Sequence, residues 1–171
     1  MKWIKWTPKF LLGLVLLVSL AACSSTQKKQ DKNGVGQEQT QGADVQGGYD
    51  IKSLDDPNSP LSRRVIYFGI DSATISDEDR ELIAIHAGFL ASHPEISAVI
   101  EGHADERGTR EYNIALGERR AKAIKQLMSV QGVGKTQAQV ISFGEERPVA
   151  LDHSEDSWRL NRRVEILYSG Y

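Results

Sequence analysis

Residues 103–121 read HADERGTREYNIALGERRA and follow SAVIEG at 97–102. SAVIEGHA, at 97–104, reads as a strand. The residues from Gly102 to Thr109 form the loop that leaves it. A helix then begins near Thr109 or Arg110 and runs to about Val130, because Ile114, Gly117, Ala121, Ile124 and Met128 recur at helical spacing. Gly132 and Gly134 stop it. A strand that hands its carboxyl end to a charged loop and a long amphipathic helix is one half of an alternating architecture, so the flanks should supply the other half.

They do. RRVIYFG, ending at Gly69, reads as a strand. Ser76 followed by Asp77, Glu78 and Asp79 is a helix start with an N-cap hydroxyl and acids in the first turn. Leu82, Ile83, Ile85, Ala87, Phe89 and Leu90 supply that helix's apolar side, and His93-Pro94 ends it. Downstream, VISFG and RRVEILY are two further strands, separated by a polar loop and a short helix around 154–160. The order β, α, β, α, β and a closing β predicts a small sheet with two helices on one face.

The N-terminus addresses the compartment. MKWIKWTPKF carries three lysines and no acid, and LLGLVLLVSLAA is an apolar run too short for a permanent span. Residues 1–22 therefore read as a signal peptide. Leu20-Ala21-Ala22-Cys23 has the form of a lipobox, in which Cys23 is acylated and becomes the new terminus. Cys23 is also the only cysteine, so no internal disulfide is available. Removing Lys2, Lys5 and Lys9 with the leader moves the formal charge from −2 to −5. That balance argues against a nucleic-acid partner. Residues 23–60 are Gln-, Gly- and Lys-rich with few large apolar side chains, which predicts a lipidated, disordered tether followed by a domain at 61–171.

Arg120 is the odd charge of the long helix. Leu116, Arg120, Ala123 and Leu127 form a row directly beside the apolar stripe, whereas Arg119, Lys122 and Lys125 fall on other faces. A partly enclosed guanidinium wants an anion. Either Arg120 pairs internally with Asp105 or Glu101 and pins the loop, or Asp105 and Arg120 hold the ammonium and carboxylate of a zwitterionic ligand. On the second view, alanine at either position abolishes most of the binding and leaves the melt of the domain nearly unchanged.

The run EGHADERGTREYNIALGERRA at 101–121, with YFGID at 67–71 and LNRRVEILY at 160–168, resembles the peptidoglycan-binding domain shared with the C-terminal part of outer-membrane protein A. The likeness covers about Arg64 to Tyr168, and with the lipobox it is similar to the lipoprotein branch that works with TolB and TolA. It implies an OmpA-like α+β sandwich of order βαβαββ, a small mixed four-stranded sheet with two main helices packed on one face. It also implies noncovalent capture of meso-diaminopimelate on peptidoglycan stem peptides. Asp105 and Arg120 would be the pair for its zwitterionic centre, Phe68 and Asp71 would line the pocket and Leu116 would form an apolar wall. Asn113 would brace the loop, and Gly108 would supply a turn that a side chain resists. No cofactor or metal is implied. Acyl chains on Cys23, with Ser24 in place of a retention aspartate, imply the periplasmic side of the outer membrane and a role in envelope integrity and division. Arg110 departs from the family's usual proline.

Other readings are weighed against this one. His103 and Asp105 at a strand end raise hydrolysis, yet His86, His93 and His153 lack ligand spacing, and there is no GxSxG or phosphate loop. His103 is expected to be a structural hydrogen bonder. A wall-binding lipoprotein of the same family without Tol partnership remains as the alternative.

Overall fold

The computed structural model describes residues 48–171; the expected leader, Cys23 and most of the expected tether lie outside them. Strand β1 spans Val65–Tyr67, helix α1 Asp77–Ser92 and strand β2 Ser97–His103. Helix α2 spans Arg110–Val130, strand β3 Ala138–Gly144, helix α3 Glu155–Asn161 and strand β4 Arg163–Ser169. The caps lie where the sequence places them. Ser76 accepts from the Asp79 amide, Thr109 from Tyr112 and Ser154 from Ser157.

The sheet order is β1-β4-β2-β3. β4 is antiparallel to both β1 and β2, and β2 pairs parallel with β3, so the sheet is mixed. This is the α+β arrangement expected. Ala98 and Ile100 of β2 and Val164 and Ile166 of β4 meet Ile83, Ala87 and Leu90 of α1 and Ala121, Ile124 and Met128 of α2 in one core. Side chains alternate across a strand, so Glu101, between the buried Ile100 and Gly102, points to the opposite face.

The packed region begins upstream of the expected boundary at residue 61. Ile51–Leu54 and Pro60–Ser62 form two 3-10 turns, and Leu54 and Leu61 are buried in the core with Tyr49 and Ile51 packed against it. Single leucines spaced among Asp, Pro, Asn and Ser carry no periodicity, which is why the sequence reads as tether there. Their burial is a tertiary effect.

Two glycines set the distance between α2 and the sheet. A Cβ on Gly102 would stand 2.0 Å from the Gly117 carbonyl oxygen, and one on Gly117 would stand 2.5 Å from Ser142 Oγ. The helix backbone therefore lies directly on the end of β2. That close approach carries the next turn of α2, and Arg120 with it, under the loops at the sheet's edge.

Candidate functional site

Arg120 is fully buried. Its Nε donates to the Ser72 carbonyl (2.7 Å), its Nη1 to that of His103 (2.9 Å) and its Nη2 to that of Gly69 (2.9 Å). One guanidinium thus ties the loop after β1 to the end of β2. Burial lowers it to about 10, so it remains cationic at neutral pH. Neither internal acid expected for it is its partner: Glu101 lies on the other face of the sheet, and the Asp105 carboxylate is engaged elsewhere.

Asp105 is 7% exposed and holds two other guanidiniums. Arg107 Nη2 donates at 2.7 Å and Arg162 Nη1 at 3.2 Å, both to Oδ2, while the Arg107 amide and Nε approach Oδ1 at 3.2 and 3.3 Å. Burial pushes the Asp105 carboxyl up, but the hydrogen bonds from Arg107 and Arg162 outweigh it and hold the group below the usual carboxylate range. Arg162 is itself fixed, with Nε on the Phe68 carbonyl (3.1 Å) and Nη2 on Glu155 (2.7 Å).

These groups converge on a cleft of about 170 Å³. Asp105, Arg107, Arg120 and Arg162 form its charged wall, Leu116 and Ile70 its apolar wall, and Asp71, Tyr112 and Asn113 the remainder. Asp71 lies in the left-handed region at φ 49 and accepts the Tyr112 hydroxyl. Asn113 is buried and donates to Glu145. Gly108 has φ +118, and a Cβ there would meet Asn113 Oδ1 at 3.4 Å, so the loop needs glycine for its conformation first. Among the lining side chains three guanidiniums face two carboxylates. Glu155, just outside the lining, pairs with Arg162 and lies near Arg107, and so balances the third.

The fold brings Asp105, Arg120, Asp71, Leu116 and Asn113 to this one cleft. Phe68 is placed differently from the expectation. It is 4% exposed and lies behind the cleft wall, with the Arg120 guanidinium 5.3 Å from its ring centroid. A side chain one residue from the end of an alternating strand takes the core side, so Phe68 backs Arg120 from within. His103 also departs from expectation. Both ring nitrogens are buried without a hydrogen bond and the ring stacks on Phe143, so its only polar contribution to the site is its carbonyl oxygen.

The sequence reading missed Arg107, Arg162, Ile70 and Tyr112. Arg162 stood in LNRRVEILY, but nothing in its spacing separates it from Arg163, which pairs with Glu165 at 2.6 Å. Arg107 looked like one more loop charge. Its planar face lies 4.2 Å from the Trp158 ring centre, and Trp158 in turn donates to Glu106 at 2.7 Å, so α3 is joined to the loop after β2.

Comparison with known proteins gives the site its context. Residues 67–162 match the family described as OmpA family. The "Peptidoglycan-associated lipoprotein" of Pseudomonas aeruginosa is 40% identical, over 97% of this chain and 99% of that one. The protein of the same name from Pasteurella multocida is 39% identical over 94% of this chain and 97% of that one. The crystal structure of the peptidoglycan-associated lipoprotein from Burkholderia pseudomallei covers 68% of this chain and 99% of its own, at 48% identity and a TM-score of 0.67. The C-terminal domain of Helicobacter pylori MotB shares the fold, with 23% identity, a TM-score of 0.57 and coverage of 61% and 83%. By its matched residues and by relatives that align along nearly its whole length, the chain belongs to the OmpA family, in the branch of peptidoglycan-associated lipoproteins.

Proposed function

We propose that the cleft holds the side-chain end of meso-diaminopimelate on uncrosslinked peptidoglycan stem peptides, and that the chain anchors the outer membrane to the wall without catalysing a reaction. The observation that carries this reading is Arg120. It is a fully buried cation on the cleft wall whose hydrogen-bond partners are neutral carbonyls, while Arg107 and Arg162 beside it have carboxylate partners of their own. Such a group favours an incoming carboxylate, which the guanidinium's two unused N–H groups can meet. Asp71 and Asp105 on the same cleft favour an ammonium beside it, and Leu116 and Ile70 suit the methylenes between peptide and head group.

Around that site the family likeness supports the rest. Residues 1–22 are removed as a signal peptide, Cys23 is acylated in the periplasmic leaflet of the outer membrane, and the segment up to about residue 47 is the tether. TolB, with TolA as a further partner, belongs to the same proposal, which gives the chain a part in outer-membrane integrity and in drawing that membrane inward at division. Many anchored copies bind a polymeric wall with avidity, so each site works at modest affinity.

The test is calorimetric titration of residues 48–171, which hold the core described above, with a muramyl pentapeptide carrying meso-diaminopimelate and with its lysine analogue. Lysine keeps the ammonium and lacks the second carboxylate. Binding of the first alone supports the assignment of Arg120; equal binding or none rejects it. Capture of TolB by the same fragment, competed by the muropeptide, tests the Tol partnership separately.

A further inference from the structure

If Asp105 receives the ligand's ammonium, it must first be free to do so, and in this structure it already carries two guanidiniums. The two are not equivalent. Arg162 is 4% exposed and is held at all three nitrogens by Phe68, Asp105 and Glu155. Arg107 has a side chain 37% exposed, and apart from Asp105 it has a second acid within reach, Glu155 Oε2 at 3.5 Å. Its flat face rests on Trp158, so it can turn toward Glu155 while keeping that stack.

We propose that Arg107 is a displaceable internal counter-ion, occupying the ammonium subsite at Asp105 until a ligand cation replaces it, with Glu155 and Trp158 of α3 receiving it. This rests on the reading of the cleft given above and adds its specificity device. An ammonium arriving with Arg107 still in place would put three cations around one nearly buried carboxylate, which like-charge repulsion opposes. Exchange keeps the charge on Asp105 balanced throughout. A ligand bringing only a carboxylate offers no replacement charge, so it leaves Arg107 where it is. The cleft thereby answers to a zwitterion and discriminates against simple anions.

The experiment is calorimetric titration of residues 48–171, wild type, Arg107→Gln and Arg107→Lys. Each is titrated with the diaminopimelate muropeptide and with an analogue whose side chain ends in a carboxylate without the amine. Competition from a partly exposed ion pair predicts that Arg107→Gln binds the zwitterionic ligand about fivefold more tightly. The same change should give no gain for the amine-free analogue, and Arg107→Lys should stay near wild type. A loss of affinity for the zwitterion in Arg107→Gln, with the wild type binding normally, overturns the inference alone and makes Arg107 a ligand contact or a loop brace. Equal affinity of wild type and Arg107→Gln overturns it as well. Absence of binding by the wild type overturns both this inference and the function on which it rests.

Discussion

Gly102 of β2 and Gly117 of α2 touch backbone to backbone, with only 2.0 Å between the Gly117 oxygen and the place a Cβ on Gly102 would occupy. The obstacle is main chain, so no rotamer change relieves it. Gly102→Ala should cost about 3 kcal/mol, as overpacking does at its upper range, and should lift the Arg120 turn away from the loops. Urea unfolding of residues 48–171 measures the first effect. A shift below about 1 kcal/mol would mean that the helix can slide without consequence.

Arg120 to alanine separates binding from folding less cleanly than the sequence alone leads one to expect. Three carbonyls, from Gly69, Ser72 and His103, lose their donor together, and a fully buried cavity remains. The expected cost is about 3–5 kcal/mol, in the range for breaking a buried charged network. Thermal unfolding followed by circular dichroism checks it, and an unchanged melt would restore the view of Arg120 as a purely ligand-facing group. Arg120→Lys is the better probe of function, since it keeps the charge and part of the hydrogen bonding.

His86 should make stability depend on acidity. Its ring is fully buried between the Tyr168 hydroxyl (2.6 Å) and the Arg63 carbonyl (2.9 Å), and desolvation lowers it to about 4. The unfolded chain takes up a proton near 6.5 while the folded chain resists until about 4. Stability is therefore full above 6.5 and falls as pH drops through that window, by about 3 kcal/mol for this group. His103, lowered to about 4 mainly by burial, acts in the same direction. Urea midpoints between pH 7 and 4 should fall, and His86→Gln should flatten the slope. A wild-type profile already flat over that range would contradict the assignment.

Arg110 occupies the first position of α2, where the family resemblance leads one to expect proline, and it pairs with Glu146. Its amide precedes the helix's own hydrogen bonds, so proline costs the helix nothing there. The exposed pair contributes under about 1 kcal/mol, and stiffening the unfolded chain returns a similar amount. Arg110→Pro should leave the melting temperature within a few degrees of wild type. A large fall would show that the Glu146 contact anchors the loop after β3.

Cys23→Ser tests the proposed anchor at a position outside the described residues. The variant should leave the membrane fraction and still sediment with isolated sacculi in vitro. Retention in the membrane would reject the lipobox reading, while loss of sacculus binding would place part of the wall contact upstream of residue 48.

The sequence by itself determined the elements and the family. Capping residues, apolar periodicity and glycine stops are local signals, and they placed α1, α2, α3 and the four strands at the positions found. The row containing Leu116 and Arg120 was legible because helical spacing alone puts a residue beside the apolar stripe. Only the tertiary structure decided the strand order, in which β4 inserts between β1 and β2, since pairing over long separations leaves no mark on either strand. It also decided which charges meet. Glu101 and Asp105 were both candidates for Arg120 in the sequence, yet the pleat sends one to the far face, and Arg162, brought from the junction of α3 and β4, joins Arg107 in claiming the other. Charge pairing depends on distances of a few ångströms between segments far apart in the chain. Those distances exist only once the core has closed around Gly102 and Gly117.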